Sequence, residues 1–291
     1  MDSDVKEKYL LAGKIGKKAL DYAQTLIEPG TLFYDVAEKT EQFIKDNGAM
    51  PSFPVNLSIN NEAAHYTPYE GDKKKFKTGD LVKVDLGAMV DGYMSDNAAS
   101  MEVGNTGNYS DLIEATREAL NSAIKILRPL INIYRIGEEI ENVITSYGFN
   151  PIKNLGGHGI NRYDLHSEIF IPNYDDGNDE TIKTEKVIAI EPFASNGIGM
   201  IHNGQFGNIY IIDAPKVKDK NEIIYKNFNT IPFAERWLAK LIPDDQAYIK
   251  KKLSERLISG FPVLKEHNKS MIAQSEHTIM VLNDEIIVTT K

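Results

Sequence analysis

Residues 81–101, LVKVDLGAMVDGYMSDNAASM, leave this chain few ways to fold. Val82, Val84 and Leu86 alternate with other residues up to Asp91-Gly92, a dipeptide suited to a two-residue type I′ turn, and the pattern predicts two antiparallel strands. If Asp91 and Gly92 form the loop, Val90 faces Tyr93, and counting outward sets Asp96 opposite Gly87, two positions from Asp85 on the same face. Diagonal neighbours in such a ladder lie roughly 7–8 Å apart at the backbone, a spacing suited to carboxylates that converge on a metal ion or a pair of ions. Gly87, without a side chain, is expected to leave room between them. On the other face Val82 meets Met101 and Val84 meets Ala99, so that face can pack on a core. Taken alone, the segment equally fits a hairpin whose acids are simply solvated.

Three more residues bear on that choice. His158 lies in LGGHGI, where glycines let backbone approach closely, although a single histidine there is a weak signal. Glu191 ends VIAIEPF, an apolar run that reads as a strand buried on both faces, where an ionised glutamate is costly without a cation or hydrogen bonds; a structural salt bridge is the plain alternative. Glu276 shares a strand face with Thr278 and Met280 in MIAQSEHTIMV. Four carboxylates and one neutral imidazole are balanced by two divalent cations, whereas one cation would leave uncompensated charge in a dry cleft. Oxygen ligands with one nitrogen and no thiolate suit Mn, Fe(II) or Co, with Zn also open. Two cations so held can activate water and polarise a carbonyl.

Composition narrows the function class. The chain has 291 residues, is 42% hydrophobic and 26% charged, and can bury a full core. A net charge of −9 argues against a nucleic acid held through phosphate contacts, and the short lysine runs at 73–75 and 250–252 read as solvated faces. Cysteine is absent, which excludes disulfides and thiolate metal sites. Charge precedes any apolar run at the amino end, and nowhere do about 18 apolar residues follow one another, so neither export nor membrane insertion is expected.

The organisation is doubled. Residues 5–27 and 34–46 read as amphipathic helices stopped at Pro29-Gly30 and Gly48, ahead of the hairpin; residues 109–128 and 135–147 read as a second pair, stopped near Pro129 and Gly148, ahead of more strands. Between Ile209 and Phe261 a lysine-rich connection leads to two predicted helices, the first with Phe233, Trp237 and Leu241 on one face, the second with Ile249, Leu253 and Leu257.

Together VDLGAMVDGYMSD, GGHG followed by His166, VIAIEPF and AQSEHTIMV resemble the pita-bread metallopeptidases, and specifically the type II methionine aminopeptidases, over nearly the whole chain. FPVNLSINNEAAHYTP, with Phe53 and His65, and GFPVL, with Phe261, support the subtype. The resemblance implies an α+β fold of two pseudo-twofold halves, each a helix pair with an antiparallel sheet. It divides the chain into a catalytic domain over 1–207 and 263–291 and a helical insert over 208–262, in the compact archaeal form. It implies metal ligands Asp85, Asp96, His158, Glu191 and Glu276, with Asp96 and Glu276 bridging two divalent ions (Co, Mn, Fe(II) or Zn). Glu191 would shuttle a proton, His65 and His166 would hydrogen-bond the tetrahedral intermediate or the amide nitrogen, and Phe53, Leu165, Ile209 and Phe261 would line a methionine pocket. Ile209 departs from the polar residue common there. The implied activity is removal of amino-terminal methionine, with a small second residue preferred, from nascent polypeptides by a cytoplasmic monomer. Two readings on the same fold stay open: an Xaa-Pro peptidase of the aminopeptidase P or prolidase type, and a non-catalytic binding module, which typically lacks ligands that are present here.

Overall fold

A computed structural model describes residues 1–217, 222–267 and 269–291. Helices α1 (Ser3–Leu26) and α2 (Phe33–Asp46) form the first pair, and α3 (Ser110–Ile126) and α4 (Ile133–Ser146) the second, within a residue or two of the ranges the periodicity predicts. Each pair stops at a glycine in the left-handed region, Gly48 (φ 85°) or Gly148 (φ 80°), a conformation that side chains disfavour. Each is followed at once by a two-residue strand, Met50–Pro51 or Asn150–Pro151, so the doubling extends past the helices.

The helix pairs explain which way the strands face. Ile15, Ala19, Ala23, Val36 and Ile44 of α1 and α2 pack on Leu57, Val82, Val84 and Leu86, within the sheet ordered Asn56–Ile59, Leu81–Leu86, Asn97–Glu102. In the other half Ala119, Ile136, Ile140 and Ile144 of α3 and α4 pack on Ile188, Ile190, Ile279 and Val281. These last belong to a five-stranded sheet ordered Asp164–Pro172, Gly156–Asn161, Lys186–Ile190, His277–Val281, Ile286–Val288. Side chains alternate along a strand, so the neighbours of these apolar residues turn to the opposite face, and Asp85, Glu191 and Glu276 are among them. The sheets meet where the Glu276 N–H donates to the Ala98 carbonyl at 2.9 Å and Gln274 and Ser100 bond reciprocally. This is the pita-bread fold.

The hairpin has the expected register. Val90 pairs with Tyr93, Val84 with Ala99 and Val82 with Met101, and Asp91 (φ 52°) and Gly92 (φ 84°) both have the positive φ of a type I′ turn. The role expected of Gly87 is corrected. A Cβ there would lie 1.8 Å from the Ser95 carbonyl oxygen and 2.2 Å from Ser52 Oγ, so the missing side chain admits crossing backbone rather than opening a gap between carboxylates.

The segment after Ile209 also departs from expectation. Strand His202–Ile212 leads into it and strand Ile258–Lys265, paired antiparallel with the first, leads out. Among the described residues between them lie a 3-10 turn (Ala214–Lys216) and three short α-helices, α5 (Ile223–Phe228), α6 (Glu235–Ala239) and α7 (Asp245–Ser254). The predicted helix through Phe233, Trp237 and Leu241 is broken: Phe233–Ala234 is a strand on Tyr210 and Ile209, and Leu241 is 41% exposed. Pro232 favours extended backbone just before it, and the open edge of the His202–Ile212 strand captures the residues that follow. The second helix ends before Leu257, and α5 was not anticipated. Part of the lysine-rich connection, residues 218–221, lies outside the described residues. Phe228, Phe233, Leu238 and Ile249 share one apolar cluster with Ile160, Val187, Ala189 and Met280, so the segment covers the sheet face turned away from α3 and α4. No helix among the described residues is long and apolar enough to cross a membrane.

Helix α1 seats closely on the carboxyl-terminal segment, where a Cβ on Gly13 would fall 2.3 Å from the Thr289 carbonyl oxygen. Gly13→Ala is therefore expected to destabilise the protein by about 1–3 kcal/mol, against a helix-propensity gain below about 1 kcal/mol. Urea denaturation reads the difference; a variant as stable as the parent would mean that the contact yields freely.

Candidate active site

Every residue singled out from the sequence lines one cavity of about 310 Å³: Phe53, His65, Asp85, Asp96, His158, Leu165, His166, Glu191, Ile209, Phe261 and Glu276. Five separate segments supply the charged set. Asp85 comes from the first hairpin strand and Asp96 from its return, His158 from the glycine-rich strand, Glu191 from the residue after Lys186–Ile190, and Glu276 from the residue before His277–Val281. Gly157 in the glycine-rich strand has no room for a Cβ, which would sit 2.2 Å from the Ala189 carbonyl oxygen, so close packing against the Glu191 strand requires glycine there.

Asp96, His158 and Glu276 are buried and offer ligand atoms that all lie within 4.8 Å of one another. His158 Nε2 is 3.4 Å from Asp96 Oδ2 and 3.8 Å from Glu191 Oε1. Its Nδ1 lies 3.2 Å from the Gly159 carbonyl oxygen, which can only accept, so Nδ1 carries the proton and Nε2 turns a lone pair toward the carboxylates. Lone pair and anionic oxygen repel unless a proton or cation lies between them, and a histidine whose second nitrogen donates to backbone is the usual arrangement at a metal. Burial also drives the His158 pKa down to about 4, which keeps the ring neutral.

The acids point the same way. Burial pushes the Asp96 carboxyl up to about 7. Burial, and after it the Asp96 charge, holds Asp85, Glu191 and Glu276 well above the carboxylate range. Among the described residues, Asp85 Oδ1, Asp96 Oδ1 and Glu276 Oε1 are buried without a hydrogen-bond partner, and no lysine or arginine lines the cavity. Unpaired buried acceptors are costly, so this donor set fits divalent cations: they satisfy the free oxygens and offset the charge together.

Two residues that the sequence reading did not assign to the site orient its acids. Gln274 Nε2 donates to Glu191 Oε2 and to Glu276 Oε2, both at 3.3 Å. The Asp96 N–H donates to Thr278 Oγ1 at 2.7 Å, and that hydroxyl reaches the Asp96 carbonyl at 2.7 Å. Strand alternation carries a signal for Gln274, two positions before Glu276. Asn56 also lines the cavity, because it pairs with Asp85 across the sheet, and nothing in the local sequence reveals that register.

Two further histidines at the cavity, His65 and His166, are held neutral. Burial lowers His65 to about 4 and His166 to about 3, with each ring also opposed by a neighbouring histidine. His166 is exposed on the cavity side, which tempers that downward shift, and its ring centre is 4.4 Å from that of His158. His65 Nδ1 approaches the Pro262 carbonyl at 3.3 Å, and its ring stands edge-to-face with Phe261 at 5.2 Å. Phe261 pairs across the sheet with Ile209, and Phe53, Leu165 and Ile209 are buried, so these apolar residues line the cavity that holds the acids.

A cleft between two sheet halves, lined by buried acids fitted to divalent cations, defines a metal-dependent hydrolase of the pita-bread class. The chain belongs to metallopeptidase family M24, whose profile matches residues 7–223. It is 41% identical to a methionine aminopeptidase of Methanocaldococcus jannaschii, with all of both chains covered. It is 40% identical to that of Saccharolobus solfataricus, covering 100% of this chain and 99% of the relative. Among solved structures it is similar to methionine aminopeptidase from Thermotoga maritima, with a TM-score of 0.75, 26% identity, and 100% and 98% of the two chains covered. A thermophilic Arx1 shares the fold with a TM-score of 0.85 at 18% identity, covering 99% of this chain and 91% of its own.

A carboxyl whose pKa is raised on folding contributes stability below its unfolded value and loses it as pH climbs through the folded value. The buried histidines act in the opposite sense, but only below about pH 6.5, and Lys83, lowered to about 7 by burial, and Lys74, also lowered by burial, oppose the raised acids. Without metal, stability is therefore expected to fall as pH rises above about 6.5, while the stabilisation conferred by added Mn or Co grows over the same range because the cation displaces protons. Thermal melts with chelator and with metal test this; a metal-induced shift independent of pH would uncouple the acids from the cation.

Proposed function

We propose that this chain is a methionine aminopeptidase that hydrolyses the first peptide bond of polypeptides beginning with methionine, preferring a small second residue. The single observation that carries this reading is the full-length identity of 41% to a methionine aminopeptidase. That every residue the motifs point to lines one cavity supports it further.

In this reading Asp85, Asp96, His158, Glu191 and Glu276 hold two divalent ions (Co, Mn, Fe(II) or Zn), Asp96 and Glu276 serving both. When bound, the ions supply an activated water and polarise the scissile carbonyl. The remaining steps fall to side chains. Phe53, Leu165, Ile209 and Phe261 receive the methionine side chain, whose unbranched thioether adapts to an apolar wall. Glu191, with Oε2 held by Gln274, takes a proton from water and passes it to the leaving amine. His65 has its Nδ1–H committed to the Pro262 carbonyl, which leaves neutral Nε2 as an acceptor for the amide N–H. His166 has no such commitment among the described contacts and is assigned to donate to the developing oxyanion. The substrates are nascent chains in the cytoplasm and the enzyme acts as a monomer, with residues 208–262 as the insert on a catalytic domain of residues 1–207 and 263–291.

Release of methionine from Met-Ala-Ser by apoprotein reconstituted in turn with Mn, Fe(II), Co and Zn tests the assignment. Cleavage of Xaa-Pro peptides with no action on Met-Ala-Ser would favour the prolidase-type reading instead, and no cleavage of either would favour a binding module. Glu276→Ala and Asp96→Ala are each expected to lose bound metal together with activity. His65→Ala should retain its metals and lose about 10²-fold in kcat. Metal analysis beside steady-state kinetics separates these effects, and metal lost on the His65 change would make that residue a ligand.

A further inference from the structure

Arg236, on α6, is fully buried and takes no part in the cavity wall. Its guanidinium is engaged on every nitrogen: Nε donates to Glu38 Oε1 at 3.1 Å, Nη1 to Thr67 Oγ1 at 2.7 Å and to the Pro68 carbonyl at 3.2 Å, and Nη2 to Glu41 Oε1. Glu41, on α2 and also buried, accepts the Val55 N–H at 3.1 Å and Trp237 Nε1–H at 2.6 Å. Thr67 closes the figure by donating its hydroxyl to the Val55 carbonyl at 2.8 Å. One arginine thus ties the segment between the two paired strands to α2 and to both ends of the 55–67 stretch.

His65 lies two residues from Thr67 in a conformation that side-chain-bearing residues seldom adopt, with φ of 68°. Such a conformer persists only when its surroundings over-determine it. The surroundings here are specific. Gly207 packs so closely on the His65 carbonyl oxygen that a Cβ would lie 1.9 Å from it, the Thr67 N–H donates to the Gly207 carbonyl at 3.3 Å, and Asn208 Nδ2 donates to the Thr67 carbonyl at 3.1 Å. If stability alone were at stake, an apolar side chain at 236 would avoid desolvating a guanidinium and a carboxylate. A planar fork with directed bonds does what an apolar residue cannot, which is to fix where Thr67, and with it the His65 backbone, sits.

We infer that Arg236 is a positioning residue, which through Glu41 and Thr67 holds the His65 backbone in the conformer that sets the imidazole in the cavity. The inference rests on the proposed function for the role of His65. Its test is a double-mutant cycle on the metal-loaded, full-length enzyme with Met-Ala-Ser as substrate. Arg236→Lys keeps the charge and loses the fork, and Thr67→Val keeps the shape and loses the hydroxyl. Each should lower kcat about tenfold or more, with bound metal per chain unchanged. In a His65→Ala background neither should lower kcat further. A loss of equal size in that background, or an unchanged kcat with only a lower melting temperature, would overturn the inference. Should Arg236→Lys fail to fold, Thr67→Val carries the same comparison. If the wild-type enzyme releases no methionine, the proposed function falls on its own. The His65 ring resonances, followed by NMR from wild type to Thr67→Val, then still decide the positioning: displaced signals uphold it and unmoved signals refute it.

Discussion

Four carboxylates brought out of water into one cleft would repel one another and the fold around them, and the rest of the structure is arranged about that cost. Among the described residues no lysine or arginine lines the cavity, and Gln274 satisfies only part of the acids' acceptor capacity. What remains is a concentration of negative charge with a neutral imidazole directed into it. Such a site is stable when divalent cations are bound, and the protons it holds without them mark the same deficit. The field that draws cations also polarises whatever they bind, so the cost of burial and the chemistry have one origin.

The two helix pairs make this arrangement possible. Each covers one face of its sheet with Ile, Leu, Val and Ala, and strand alternation then leaves the other face free for polar side chains. That second face is covered by the chain between the His202–Ile212 and Ile258–Lys265 strands, which brings Phe228, Phe233 and Leu238 against Val187, Ala189 and Met280. The strands that carry Glu191 and Glu276 are thus apolar on both sides next to the acids. Ile209 and Phe261, which lead into and out of that covering segment, face each other across the ladder and link it to the cavity wall.

Much of this is legible along the chain because it depends on local periods. The helix pairs follow from 3.6-residue spacing and their glycine stops, and the hairpin register follows from Asp91-Gly92, which sets Asp85 and Asp96 on one face. The covering segment was misread where local preference and sheet pairing compete. Phe233 has helical spacing with Trp237 and Leu241, yet an open strand edge and Pro232 draw it into a strand. Gly87 reads from the sequence as room between two acids, whereas its missing side chain admits the Ser95 carbonyl and Ser52 Oγ, a contact fixed by tertiary packing.

The sequence by itself determined the two helix pairs, the hairpin register and the identity of the acids and histidines, because these rest on backbone sterics, side-chain alternation and motif. Only the tertiary structure decided that Asn56 stands beside Asp85, that Gln274 holds two glutamates at once and that Arg236 reaches Thr67 across most of the chain. Those contacts join residues far apart in sequence, and their partners are chosen by how whole sheets and helices pack, which no local period encodes.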